Sequence, residues 1–379
     1  MTTIIARCVH GLEWVCADEV SSRLPMARDV RLARREVTLE LPSVDSGLLD
    51  LRTVDDVFLT VGRLDDVGLT RAALPGLGRR LAELPLDTLA GDLAAARPVP
   101  RRPRVDVVAS VEGRRTYSRF DVETAVGPLV ASRLGGSYLA RTGEGPSPGE
   151  ADLSVRLFLR GTMATAAIRL AARPLHRRPY KQDTGPGTLH PPVAAALARL
   201  AAATPGVLLD PFCGDGTIAI ESALAFPTAR VVGSDIDAAR LANAARNARR
   251  AGVGPALIRA DAAHPPLRPG AVAVVVTNPP WNLAVDAAGG LGSSLDEFWV
   301  RMGGPLAADG RVCAIVDEAL DAPTTLRRLG LSLALATRIR IAGRVSHLVL
   351  YGAAPALGAD LARWRERAIA GGVVTETGF

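Results

Sequence analysis

This 379-residue sequence is short of the residues that hold metals or form disulfides. Its four cysteines, Cys8, Cys16, Cys213 and Cys313, are scattered, with no Cys-x-x-Cys pair and no histidine at ligand spacing. Neither a disulfide framework nor a zinc site is expected. No apolar run has the length that spans a bilayer, so no membrane partner is expected. The opening residues lack the basic, apolar and small-residue order of a secretion signal, which points to a cytoplasmic protein. Lysine is nearly absent, Lys181 being the only one, and arginine carries almost all the positive charge. With the Ala, Gly and Pro content this reads as a compositional bias of the genome, which weakens any inference from one arginine to phosphate recognition. The balance is still +6 with a pI near 9.6, modestly basic, and it favours a nucleic acid partner.

What is present is concentrated in two short segments of the C-terminal half. Asp210-Pro211-Phe212-Cys213-Gly214-Asp215-Gly216-Thr217 follows the apolar run Val207-Leu208-Leu209, and Asn278-Pro279-Pro280-Trp281 follows Val272 to Thr277. The first has the chemistry of a strand-to-helix turn, with glycines where the backbone bends and Ile218, Ala219, Ile220 and Ala223 at helical spacing after it. In an open parallel sheet that turn is where a cofactor lies. No Lys-Ser or Lys-Thr follows the glycines and the spacing is not Gly-x-Gly-x-x-Gly, so it is not a familiar phosphate cradle. The next two expected strands also end in acids, Asp235-Ile236-Asp237 and Asp261-Ala262. A carboxylate at Asp235 suits a ribose diol, Ile236 could cover an adenine face, and Asp261 could accept from the adenine amino group.

Strands ending in Asp210, Asp235, Asp261 and Asn278 resemble those of a class I S-adenosylmethionine-dependent methyltransferase, over roughly residues 190–352. The resemblance implies a Rossmann-like seven-stranded catalytic domain with S-adenosyl-L-methionine as cofactor. The cofactor-binding residues would be Asp210, Pro211, Phe212, Cys213, Gly214, Gly216, Thr217, Asp235, Ile236, Asp261, Ala262 and Asn278. Asn-Pro-Pro-aromatic is the signature of members that methylate an exocyclic amino nitrogen. Trp281 stands where Tyr or Phe is commoner and Asn282 where a Gly often follows.

The amine chemistry can be argued from the residues themselves. The lone pair of an aromatic amine is delocalised into its ring, so the nitrogen must be held in line with the methyl donor. The Asn278 side-chain oxygen and the Pro279 carbonyl can accept its two N–H bonds and localise that lone pair. Trp281 can stack on a flipped base, and Pro279 and Pro280 stiffen the loop. Asn278, Pro279, Pro280 and Trp281 are therefore the candidate catalytic residues. No strong base is required, since the proton becomes acidic once the nitrogen is alkylated; His190, His264 and His347 are isolated. Methylation at carbon through a cysteine adduct would need a thiolate in this loop, which has none.

The front of the chain follows a different pattern. Strand-like and helical runs from Thr3 to Val61 follow the order βαββαβ, a ferredoxin-like pattern. A helix over Thr70–Leu84, a strand at Val105–Ala109, a helix from Val122 to Leu134 and facing strands around Leu153–Leu159 and Thr162–Leu170 come next. By position and element order this second part is similar to a THUMP domain, an RNA-binding module. The segment Leu175-His176-Arg177-Arg178-Pro179-Tyr180-Lys181 resembles one found just before the catalytic domain of THUMP-containing guanine-N2 RNA methyltransferases. His176, Arg177, Arg178, Tyr180 and Lys181 are candidate RNA-binding residues, combining cations with an aromatic that can stack on an unpaired base.

The expected layout is α/β: residues 1–62 a ferredoxin-like domain, 63–172 a THUMP-like RNA-binding domain, 173–192 a basic linker, 193–354 the methyltransferase domain and 355–379 a tail. The sheet is expected to close with a hairpin of Arg338–Ile341 and Ser346–Tyr351. The resemblance implies an RNA methyltransferase, acting as a monomer on guanosine N2, with tRNA favoured over ribosomal RNA. Adenine N6, cytosine N4 and a non-enzymatic RNA-binding protein with a relic fold are the alternatives.

Overall fold

A computed structural model of the chain describes residues 1–44, 46–140, 151–201, 206–280, 296–317, 322–341, 343–352 and 357–375. The chain divides into two compact units. Met1–Arg7, Val20–Arg31 and Glu36–Leu175 form the first; Cys8–Glu19, Leu32–Arg35 and His176–Phe379 form the second.

The front of the chain contributes β1 (Thr2–Cys8), α1 (Glu13–Arg23), β2 (Arg28–Ala33), β3 (Glu36–Leu41) and β4 (Val54–Leu64). Then come α2 (Leu74–Ala82), α3 (Leu86–Ala96), β5 (Arg104–Glu112), α4 (Arg119–Arg133), β6 (Ser137–Tyr138), β7 (Leu153–Arg160) and β8 (Met163–Arg169). The strands make an eight-stranded sheet in the order β2-β3-β1-β4-β8-β7-β5-β6. The first four stand in ferredoxin-like order, but the second helix of that pattern is only a 3-10 turn at Ser46–Asp50 with Leu48 buried. The boundary expected between residues 62 and 63 falls inside β4. That strand pairs antiparallel with β8, from Phe58 opposite Arg169 to Leu64 opposite Ala164, so one sheet runs across the expected division. An apolar strand whose outer edge can be paired is stabilised by pairing it, and β4 is buried at Val54, Val57, Phe58, Leu59 and Val61. The β7–β8 hairpin turns at Gly161, whose φ of 53° fits a tight two-residue connection between Arg160 and Met163. A capping box starts α4, Ser118 and Asp121 each accepting from the other's backbone N–H.

The second unit holds α5 (Pro191–Ala201), β9 (Val207–Asp210), α6 (Thr217–Ala225), β10 (Arg230–Asp235), α7 (Ala238–Ala251), β11 (Ala256–Arg259) and β12 (Val272–Thr277). It continues with α8 (Asp296–Met302), β13 (Leu306–Asp317), α9 (Ala322–Arg328), β14 (Ser332–Ile341), β15 (Arg344–Gly352) and α10 (Ala359–Ala370). The seven strands are ordered β11-β10-β9-β12-β13-β15-β14, the Rossmann-like sheet expected. β9 to β13 pair in parallel, while β15 runs antiparallel to both β13 and β14. Strands buried on both faces read as continuous apolar runs, and β12 is buried at all six positions. β9 has β10 on one side and β12 on the other, so strand order reverses there; the crevice outside the carboxyl ends of these strands is the place for a ligand.

The expected 355–379 tail contains helix α10, with Leu361, Trp364 and Ala368 buried. Those three apolar residues at helical spacing give it one inward face amid arginines and glutamate. Among the described residues no helix is long and apolar enough to cross a membrane.

Candidate functional site

The turn between β9 and α6 is held open by two glycines in left-handed backbone, Gly214 at φ 51° and Gly216 at φ 85°. Both backbones favour glycine: a Cβ at Gly216 would lie 2.9 Å from the Ala244 Cβ and 3.2 Å from its Cα on α7, while one at Gly214 would lie 2.8 Å from Arg240 Nη2 and push that side chain aside. The turn is laced to β10 by Cys213 N–H donating to the Ser234 carbonyl at 2.9 Å and Gly214 N–H to Asp235 Oδ2 at 2.8 Å. Asp235 Oδ1 accepts from Asp237 N–H at 2.9 Å. An ionised carboxylate offers about four acceptor positions, so Asp235 keeps capacity for a diol beyond these two bonds. Ile236 beside it is 38% exposed, an apolar surface that could cover a ring. Asp235 pairs with Arg259 at the end of β11, which brings Asp261 near; Asp261 Oδ1 accepts from Ala263 N–H at 2.9 Å and Ala262 is buried. Pro211 is buried, and Phe212 meets Phe298 of α8 edge-on at 4.7 Å. Thr217, the first residue of α6, is buried as well.

Cys213 is not a nucleophile here. Its thiol is buried, and burial, helped by Asp210 and Asp235, pushes its pKa well above the ordinary thiol value. Asp210 is buried too; loss of solvent raises its carboxyl to about 7, against the bonds it accepts from Thr277 and Phe212.

At the end of β12, Thr277 is fully buried and its hydroxyl donates to Asp210 Oδ1 at 3.1 Å. Asn278 follows. Its Oδ1 is shielded from solvent and has no hydrogen-bond partner among the described residues. A buried amide oxygen left in this way costs about 1–3 kcal/mol, and it is acceptor-only, so what satisfies it must bring an N–H or O–H. Pro279 is buried and Pro280 half-buried. Trp281 and Asn282 lie outside the described residues.

The basic linker segment is not the open RNA-gripping strip expected of it. Arg178 is buried and its Nε donates to Glu221 Oε1 on α6 at 3.1 Å, while the Tyr180 hydroxyl donates to the same oxygen at 2.8 Å. The Tyr180 ring packs with Ile220 and Ala248 in an apolar cluster. Lys181 Nζ donates to the Leu189 carbonyl at 2.5 Å, and burial lowers its pKa to about 8. Glu221 inside α6 supplies the acceptor that draws Arg178 and Tyr180 inward. His176 is half-buried against the His190 ring, 5.2 Å away, and Arg177 is exposed.

Sequence reasoning missed what fastens this segment to the cofactor turn. Asp215, between the two glycines, is buried. Its Oδ2 accepts from Gly185 N–H at 2.7 Å and the Thr188 hydroxyl at 2.5 Å, and its Oδ1 from Asn243 Nδ2 at 3.0 Å, with Arg240 Nε at 3.2 Å. The available signal was an acid flanked by glycines in a turn with no capping duty. Its partners, scattered over residues 185 to 243, carry no pattern of their own.

The chain resembles known proteins in sequence and in fold. The family model described as UPF0020, RMKL-like methyltransferase domain, matches residues 178–346. A curated tRNA (guanine(6)-N2)-methyltransferase of Thermus thermophilus is 35% identical over 204 residues, 53% of this chain; the match spans 57% of the length of that relative. The crystal structure of TrmN from Thermus thermophilus superposes with a TM-score of 0.73 at 28% identity, covering 93% of this chain and 99% of that one. A predicted N6-adenine-specific DNA methylase from Listeria monocytogenes shares the fold, with a TM-score of 0.67 at 19% identity over 92% of this chain and 95% of its own. The second unit has a Rossmann-like methyltransferase fold, and the stretch 178–346 is similar to the RMKL-like methyltransferase domain.

Proposed function

We propose that this chain is an S-adenosylmethionine-dependent RNA methyltransferase that methylates the N2 amine of a guanosine, in tRNA. The observation that carries the reading is Asn278 Oδ1, solvent-shielded and without a hydrogen-bond partner among the described residues, at the end of β12, next in the sheet to the glycine turn at the end of β9. The likeness to a tRNA guanine-N2 methyltransferase supports the choice of amine and of RNA.

The residues present fit the cofactor. Gly214 and Gly216 give the turn its left-handed bends, Asp235 has acceptor capacity for a ribose, Ile236 offers an exposed apolar face and Asp261 stands at the next strand end. S-adenosylmethionine, when bound, supplies an electrophilic methyl group. The chain's own task is to present the amine: Asn278 Oδ1 and the Pro279 carbonyl accept its two N–H bonds, which draws the nitrogen toward tetrahedral geometry. Trp281 is proposed to stack on the base, and the part of the first unit spanning residues 63–172 to act as a THUMP-like RNA-binding module. Within the linker, Arg177 and His176 are the residues left to face a phosphate or an unpaired base.

The test is incubation with labelled S-adenosylmethionine and total RNA, followed by nucleoside analysis. Labelled N2-methylguanosine in the tRNA fraction is expected. Labelled N6-methyladenosine instead would overturn the substrate assignment, and label in DNA alone would overturn RNA as the partner.

A further inference from the structure

We propose that Thr277 is a positioning residue for the methyl transfer: its hydroxyl, bonded to Asp210, sets the place of Asn278 relative to the cofactor turn. The inference rests on the reading of Asn278 as the amine acceptor.

The parallel ladder between β9 and β12 stops at Val275 opposite Leu209. Beyond it the two strands lead on, Asp210 into the glycine turn and Thr277 into Asn-Pro-Pro. On its other side β12 stays in register with β13 as far as Thr277 opposite Ala314, and Asp210 stays paired with Gly233 of β10. Each strand end is therefore held by its outer neighbour. Past the last ladder pair, the 3.1 Å bond from Thr277 Oγ1 to Asp210 Oδ1 joins them. Both side chains are shut off from water, Thr277 at 0% and Asp210 at 1% exposure, so solvent cannot replace the bond. A threonine hydroxyl spent in this way fixes the residue just before the amine acceptor against the residue that opens the cofactor turn. A displacement of about 1 Å between an acceptor and a methyl donor can cost on the order of a hundredfold in rate.

The readout is a comparison of Thr277→Val, which keeps the shape and loses the hydroxyl, with Thr277→Ser, which keeps the hydroxyl. Thr277→Ala serves if the valine variant does not fold. Single-turnover methylation of unmodified total tRNA and calorimetric titration with S-adenosylmethionine are measured on each folded protein. The expectation is a fall in transfer rate of about tenfold or more for Val or Ala, cofactor affinity within about twofold of wild type, and recovery of most of the rate with Ser. Wild-type transfer in Thr277→Val or Thr277→Ala would overturn the proposal, as would a serine variant no better than valine. Asn278→Ala, run alongside, separates the two levels. If it loses transfer while Thr277→Val does not, only the positioning role fails; if Asn278→Ala transfers normally, the underlying reading of the site fails.

Discussion

Asp210 shows how one residue can be both costly to the fold and useful to the site. Its carboxyl is buried at the end of β9, and desolvation raises its pKa from 3.8 to about 7. A raised carboxyl pKa means that the folded state holds the proton more tightly than the unfolded chain. The stability it contributes is fully present below 3.8 and is lost as pH rises through about 7. Asp210→Asn keeps an oxygen to accept from Thr277 and removes the ionisation. We expect this variant to melt above the wild type at pH 8, by roughly 4 kcal/mol as a ceiling, with the gap closing below about pH 4. Thermal denaturation across that pH range checks it, and a constant gap would contradict it. The preference of the sequence for aspartate would then reflect what the turn does and not what the fold needs.

Among the elements, α6 ties the site to the segment before it. Glu221, fully buried, accepts from Arg178 and Tyr180, and Asp215 in the preceding turn accepts from Gly185 and Thr188. Glu221→Leu removes the carboxylate that accepts from Arg178 Nε and the Tyr180 hydroxyl, and is expected to cost about 3–5 kcal/mol in denaturant unfolding. Adding Arg178→Met should recover part of that loss, because the buried charge goes with it. Additive losses in the double variant would contradict the pairing. Strands β9 to β12 were legible because apolar runs ending in Asp210, Asp235, Asp261 and Asn278 carry both period and punctuation. The linker was misread for a physical reason: Arg178, Tyr180 and Lys181 look like a solvated basic strip until Glu221 and the Leu189 carbonyl, 43 and 8 residues away, supply buried acceptors. The single sheet across the expected 62/63 boundary was hidden likewise, since β4 finds β8 about a hundred residues later and local pattern does not report pairing partners. α10 was missed because its inward face is only Leu361, Trp364 and Ala368.

For the whole molecule, charge is the property that bears on the proposed RNA partner. A net charge of +6 carried almost wholly by arginine gives a long-range attraction that does not depend on any one side chain. Binding to tRNA is expected to weaken at least about tenfold between roughly 50 and 200 mM salt, as phosphate neutralisation requires. Filter binding or fluorescence anisotropy at several salt concentrations measures the slope, and a flat response would remove the electrostatic part of the account. The central claim is narrower: adjacent strand ends divide the work, β9 and its turn holding the cofactor and β12 presenting the amine. Asn278→Ala tests that division most directly, with cofactor affinity from calorimetry and transfer to tRNA from single-turnover label incorporation measured on the same folded protein. The resemblance also sets Asn278 against the cofactor, but with its side-chain oxygen given to the amine, cofactor affinity is expected within about twofold of wild type and transfer lowered by about a hundredfold or more. Strong loss of cofactor binding, or transfer left intact, would contradict it.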